Sequence, residues 1–370
     1  MINKEQFLAI CEKYHLVGGN LYVVTETGEF SYQMGYMDKE NEMPTRVDTI
    51  YRIASISKTI LAIGAMHLEE RGLLDLDEDI STYLGFKIRN PYHPNDKITT
   101  RMLMTQTSSI TDGFDDEDMT NETRVDGYNG LNGRHLNIPL SVVLTPSDSP
   151  YYSNLTYDKE KPGTHFIYSN FGCGILACII EKVSGMNYDD YMQEHIFGPL
   201  KLDASYYAYN IKHQDDIACL YFGEKVIKTH DWAKRAYQKA PLGESYLGNA
   251  GELFISMPQL AILMKSFFEP SLKVLKDETL KKMFTVNWEG DAGDYKKKGL
   301  QMTIRDDLAP FTLYGHFGSA YGLRSFMLFN PEKKVGACFA TNGGNTSEYI
   351  DHLPAIHRDL IKALWGGADA

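Results

Sequence analysis

Strand-like segments gather at the two ends of this chain, and helix-like segments fill most of what lies between. Near the start, Asn20-Leu21-Tyr22-Val23-Val24-Thr25 and Phe30-Ser31-Tyr32-Gln33-Met34-Gly35-Tyr36 read as two strands around a turn at Glu26-Thr27-Gly28-Glu29. Near the other end, runs at about 311–316, 323–330 and 335–341 read as strands and precede a last helix from Leu353 to Trp365. Strands at both ends with helices between them predict an α/β chain of the α+β kind. One antiparallel sheet is built from both termini and flanked by helices, with a mostly helical region inserted. The expected division is residues 1–60 plus 290–370 for the sheet and 61–289 for the helical part.

Composition narrows the class. A chain of 370 residues can bury about three quarters of its unfolded surface, enough for one large domain or two closely packed ones. Its 43% hydrophobic and 12% aromatic content is that of a globular protein. A formal charge of -12 argues against nucleic acid and anionic membranes as partners. The five cysteines, Cys11, Cys173, Cys178, Cys219 and Cys338, form no disulfide framework; they read as buried free thiols in a reducing compartment. Residues 1–10 read as the start of an amphipathic helix and lack the features of a secretion signal. No apolar run is long enough to span a membrane. The expectation is a cytoplasmic protein, with a removed leader left open.

One serine is followed three residues later by a lysine, in Ser55-Ile56-Ser57-Lys58. The run from Leu61 to Gly72 has apolar residues at helical spacing and stops at glycine, so Ser55 and Lys58 fall in the first turn of a helix, on one face. A serine hydroxyl is a weak nucleophile until a neighbour takes its proton, and a desolvated lysine can do so. The plainer alternative is a serine N-cap and a solvated lysine.

Two more segments stand in order behind it. Tyr168-Ser169-Asn170 follows a Pro162-Gly163-Thr164 turn and opens a buried helix running from Phe171 to Gly185. An identical copy, Tyr152-Ser153-Asn154, sits in a polar loop with no element to fix its side chains. His316-Phe317-Gly318-Ser319 lies between the strand-like runs 311–314 and 326–329. A competing match, Lys297-Lys298-Gly299, reads more simply as a charged, solvated turn. No Gly-x-Ser-x-Gly, His-Glu-x-x-His or paired Cys-x-x-Cys occurs, so a nucleophile elbow and a zinc site lack support. Gly172-Cys173-Gly174 fits a dinucleotide fingerprint only loosely, and more helix follows it where a strand is required. No cofactor and no metal is expected.

Together the three segments resemble the serine β-lactamase and penicillin-binding protein superfamily, in the branch of class C β-lactamases, D,D-carboxypeptidases, D-aminopeptidases and related esterases. Ile98 to Ser109 is similar to that family's "I-T-x-R-x-L-L-T-H-T-S-G" segment, with Gln106 and Ser109 replacing histidine and glycine. Gly248-Asn249-Ala250-Gly251-Glu252-Leu253 and Phe329-Asn330-Pro331 are also similar. The resemblance implies an active site in the cleft between the sheet and the helical part. Ser55 would be the nucleophile, and Lys58 and Tyr168 the proton-transfer set, with Lys58 holding the phenol's pKa down. The N–H groups of Ser55 and Ser319 would form the oxyanion hole, and Asn170 would orient Lys58 and the substrate. His316 would take the place of a lysine, facing Tyr168 and any substrate carboxylate. Arg324 is a carboxylate ligand or, equally, a surface arginine.

These features imply a serine hydrolase acting on an amide or ester of a small molecule or short peptide, most simply a D-amino-acid-type peptidase or a carboxylesterase. A β-lactamase, a slow-turnover penicillin-binding protein and a non-catalytic scaffold are the rivals. The oligomeric state is not encoded in these motifs. Asp112, Asp115, Asp116, Glu117, Asp118 and Glu122 form an acidic cluster, read as a solvated surface excursion or as a wall of the cleft.

Overall fold

Nine strands form one antiparallel sheet in the computed structural model, which describes residues 1–113, 127–134, 137–228, 240–293 and 295–366. In chain order they are β1 (Gly18–Thr25), β2 (Gly28–Asp38), β3 (Met43–Pro44), β4 (Trp288–Ala292), β5 (Tyr295–Lys298), β6 (Thr303–Arg305), β7 (Leu313–Ala320), β8 (Leu323–Asn330) and β9 (Val335–Thr341). Their spatial order is β3-β2-β1-β9-β8-β7-β6-β5-β4. The N-terminal hairpin is therefore joined to the C-terminal strand, with β1 paired to β9 from Gly19↔Thr341 to Val24↔Gly336. The expected sheet from both termini is the one observed.

The strand expected at about 311–316 is observed as residues 313–320, running on past His316 to Ala320, and the reversal falls at Tyr321 and Gly322, both with positive φ. One reading of this region is corrected. Lys298 does not sit in a solvated turn. It lies on β5, with no exposed surface. The charge of Lys296, Lys297 and Lys298 masked a short strand whose alternate residues face opposite ways.

The central strands are apolar on both sides because both faces are covered. On one face Leu21, Val23, Phe326, Leu328, Ala337 and Phe339 pack with residues of α1 (Lys4–Lys13) and α6 (Ala355–Trp365), including Phe7, Cys11, Ile356 and Leu360. On the other, Val24, Leu323, Met327, Phe329, Cys338 and Ala340 join a larger core with α2 (Ile56–Glu70), α3 (Thr100–Thr105), α4 (Asn170–Ser184) and α5 (Met257–Lys265). Helix α2 touches both α4 and β7, and twelve of its fifteen residues are buried. A helix apolar nearly all round can only sit inside a protein. Its first turn thus ends between the sheet and the helical layer. All five cysteines are buried thiols outside any disulfide. No helix among the described residues is long and apolar enough to cross a membrane.

On α6, His357 is buried among Phe317, Phe326 and Phe339. Neither of its ring nitrogens has a hydrogen-bond partner. Burial, and secondarily the nearby Arg324 cation, push its pKa down to about 3, below the ~6.5 of an unfolded histidine. As pH falls below that value the unfolded chain binds a proton the folded chain refuses, so stability falls by up to ~1.4 kcal/mol per pH unit. Urea unfolding of His357→Leu should show a flatter pH dependence, the wild type losing roughly 2 kcal/mol more than the variant between about pH 6.5 and 5. Parallel profiles would mean that His357 titrates normally in the fold.

Candidate active site

Ser55 immediately precedes α2, and its side chain makes no capping bond. Ser57 serves the local structure instead, donating to the Ala54 carbonyl at 2.6 Å and accepting from Leu253 N–H at 3.1 Å. Ala54 itself is in the left-handed region, with φ 51, a conformation costing roughly 1–2 kcal/mol for a residue with a Cβ. That strain turns the strand leaving Arg52 into the helix and leaves the Ser55 hydroxyl free to face Lys58. The ammonium of Lys58 donates to Ser55 Oγ and to the Ala250 carbonyl, both at 2.9 Å.

Lys58 has no exposed surface, and among the described residues no carboxylate forms an ion pair with it. Desolvation pushes its pKa down to about 8 because a buried amine is penalised for carrying charge. Cys173 and Asp112 pull the other way, and Arg52 adds to the fall. An amine in that range is partly neutral near physiological pH and can accept the Ser55 proton.

Tyr168 lies beside this pair, its ring 4.8 Å from Lys58 Nζ. The expectation that Lys58 holds the phenol's pKa down is not met. Burial pushes Tyr168 upward, and hydrogen bonding to Ser55 and Tyr295 offsets only part of that. Burial leaves the hydroxyl protonated, suited to donating rather than accepting, while the ammonium lies over the ring. Tyr295 stacks on Tyr168 at 5.3 Å between ring centroids, and His316 lies 6.3 Å from Tyr168 and 6.5 Å from Tyr295.

His316 corrects a second expectation. It is buried, its Nδ1 is 2.6 Å from the Phe317 carbonyl, and its Nε2 has no partner. Burial and the neighbouring lysines hold its pKa well below the usual histidine value. A neutral imidazole behind the site offers no cation to a substrate carboxylate. Arg324 bonds Ser319 Oγ and the Thr346 carbonyl.

Asn170 is fixed by Asp112, not by Lys58. The buried Asp112 carboxylate accepts from Asn170 Nδ2 at 2.7 Å, Phe171 N–H at 2.8 Å and Ser169 Oγ at 3.2 Å. It therefore caps α4, where free N–H groups favour a negative charge. Burial nonetheless raises its pKa against those donors. Asp112 is thus no part of a solvated excursion, whereas Asp115 to Glu122 lie outside the described residues. Gln106 braces the same turn, its side-chain oxygen accepting from Ser169 N–H at 2.8 Å. Gln106 and Ser109, the two departures from the family segment, both have positive φ.

Ser55, Tyr168, Asn170 and Ser319 line one cleft of about 400 Å³, with Arg52, Glu252, Tyr128 and Tyr321 on its other walls. A larger hollow of about 720 Å³, between the β1–β2 turn and α5, holds charged side chains but none of these groups. Strand β7 reaches the cleft because β6 pairs with it only as far as Gly315, so its last residues keep one open edge. Gly318 lets that strand approach the backbone before Ser55: a Cβ there would come within 2.5 Å of the Ile53 carbonyl oxygen. Tyr295, Lys298, Asp112 and the Ala250 carbonyl were not foreseen as site components. Among the described residues no cluster of His, Cys, Asp and Glu is arranged to hold a metal.

The family model described as Beta-lactamase matches residues 5–360. "Protein flp" of Staphylococcus aureus (strain MW2) is 25% identical over 348 residues, covering 92% of this chain and 62% of that protein. "Penicillin-binding protein 4*" of Bacillus subtilis (strain 168) is 28% identical over 200 residues, 52% of this chain and 38% of its own. The chain thus spans less than two thirds of the length of these curated relatives. Among solved structures, D-amino acid amidase from Ochrobactrum anthropi SV3, complexed with L-phenylalanine amide, superposes with a TM-score of 0.72. It has 20% identity and covers 98% of this chain and 96% of that one.

Gly318→Ala should push β7 off the Ile53–Ser55 backbone. The rate at which a fluorophosphonate labels the protein is expected to drop on the order of 10²-fold with the fold retained. Labelling at the wild-type rate would show that the close approach of β7 is not needed.

Proposed function

The chain belongs to the Beta-lactamase family, and from that membership we propose that it is a serine hydrolase acting through an acyl-enzyme at Ser55. Its proposed substrates are amides or esters of the D-amino-acid type. The observation that carries this reading is the 2.9 Å contact between Ser55 Oγ and a fully buried lysine amine at the wall of an open cleft. In the proposed cycle Ser55 Oγ bonds to the carbonyl carbon while its proton passes to the neutral amine of Lys58. The oxyanion is met by the N–H groups of Ser55 and Ser319, worth on the order of 10²–10³ in rate per donor. Tyr168 gives its hydroxyl proton to the departing amine or alkoxide and is reprotonated from Lys58. Water then attacks the ester, its proton passing through the same pair to Ser55 Oγ as the acid departs.

Peptide and ester substrates are favoured over β-lactams because position 316 carries a neutral imidazole where the β-lactamase pattern has a lysine. The fold shared with a D-amino acid amidase supports the same choice. Against a non-catalytic scaffold, hydroxyl, amine and phenol are all present and adjacent. Against a penicillin trap, both proton-transfer groups stand close to the position of the ester to be hydrolysed.

Ser55→Ala should abolish fluorophosphonate labelling and p-nitrophenyl ester turnover. Retention of both would refute the assignment. Intact mass after exposure to benzylpenicillin should show no lasting adduct, since a persistent one supports the slow-turnover rival.

A further inference from the structure

Only two lysines are buried among the described residues, Lys58 and Lys298, and both sit at this site. Lys298 comes from β5, on the sheet side of the cleft. The two amines flank a pair of stacked phenols: Lys58 Nζ lies 4.8 Å from the Tyr168 ring centroid and Lys298 Nζ 5.1 Å from that of Tyr295. Lys298 has one weak polar partner, Thr303 Oγ1 at 3.3 Å. No carboxylate among the described residues pairs with it. The titratable and charged groups bearing on the two amines are Cys173 and Tyr168 from the α4 side, Asp112, Tyr295, His316 and Arg52. Of these only Asp112 is a carboxylate, and it acts on Lys58.

Two ammonium ions in one dry pocket repel each other with no counter-ion between them. We propose that Lys298 is a positioning residue for Ser55 that shares one buried proton with Lys58, so that Lys58 is a free amine in part of the population at neutral pH. The inference rests on the reading of Ser55 as nucleophile and Lys58 as its base. The proton is conserved: it sits on one nitrogen or the other, and a second proton is released to solvent. Both amines are lowered: Lys298 to about 7 by burial, with Cys173 opposing and the charge of Lys58 adding to the fall, and Lys58 to about 8 by burial.

The test is the pH dependence of fluorophosphonate labelling in wild type, Lys298→Met and Lys298→Gln. With its pKa at about 8, Lys58 is neutral in about a tenth of wild-type molecules at pH 7, and each unit by which that pKa rises once the second cation is gone lowers the fraction about tenfold. The variants should therefore label up to about tenfold more slowly at about pH 7 and converge on wild type at about pH 10. Rates lowered equally at every pH, or superimposable profiles, would overturn the assignment. A measurement on the unaltered protein stands beside it: with 13Cε-labelled lysine, both buried resonances should titrate as a coupled pair between roughly pH 6 and 9. A Lys298 resonance titrating alone above about 10 would also overturn it. Failure of the wild type to label at any pH would instead sink the serine-hydrolase reading itself.

Discussion

The site depends on keeping the Lys58 amine dry. An exposed lysine is a solvated cation with no lone pair for a proton, and the hydroxyl beside it stays inert. Here α2 is pressed between β7 and α4, so the lysine one turn into that helix is fully buried and donates to Ser55 Oγ. Removal from water is unfavourable for a charged amine. The surrounding core offsets that, and the result is an amine whose pKa is drawn down toward the pH at which it must work.

The neighbouring backbone serves the same end. A left-handed Ala54 aims Ser55 at Lys58, and a glycine at 318 admits the edge of β7. On the other wall, Asp112 and Gln106 hold the start of α4, and with it Tyr168 and Asn170. The three sequence segments share no element, and they meet because the sheet joins the chain's two ends while α2 and α4 pack on one face of it. The stacked rings of Tyr168 and Tyr295 each lie beneath one of the two buried amines.

Much of this was legible in the sequence. The five principal strands showed themselves through apolar runs bounded by turns, and the positions of Ser55, Lys58 and Tyr168 followed from helix starts that periodicity marks well. What escaped has physical reasons. Lys298 was read as solvated because it stands among other lysines, and a strand of four residues is too short for alternation to outweigh charge. Asp112 was lost in an acidic cluster since nothing local marks which carboxylate turns inward to cap a distant helix. The roles of His316 and Arg324 depend on which way a side chain leaves its strand and what then meets it. Only tertiary packing decides that. The protonation of Tyr168 failed for a related reason: sequence placed a cation nearby but did not show how far the phenol is removed from water.

Family membership and the shared fold define a β-lactamase-like scaffold, and the proposed chemistry rests on one hydroxyl being singled out by one desolvated amine. The most direct measurement is tandem mass spectrometry of the protein quenched during turnover of a p-nitrophenyl ester. The account predicts an acyl group on the peptide containing Ser55, on that residue and no other. An acyl group on a different side chain, or turnover with none formed, would contradict it.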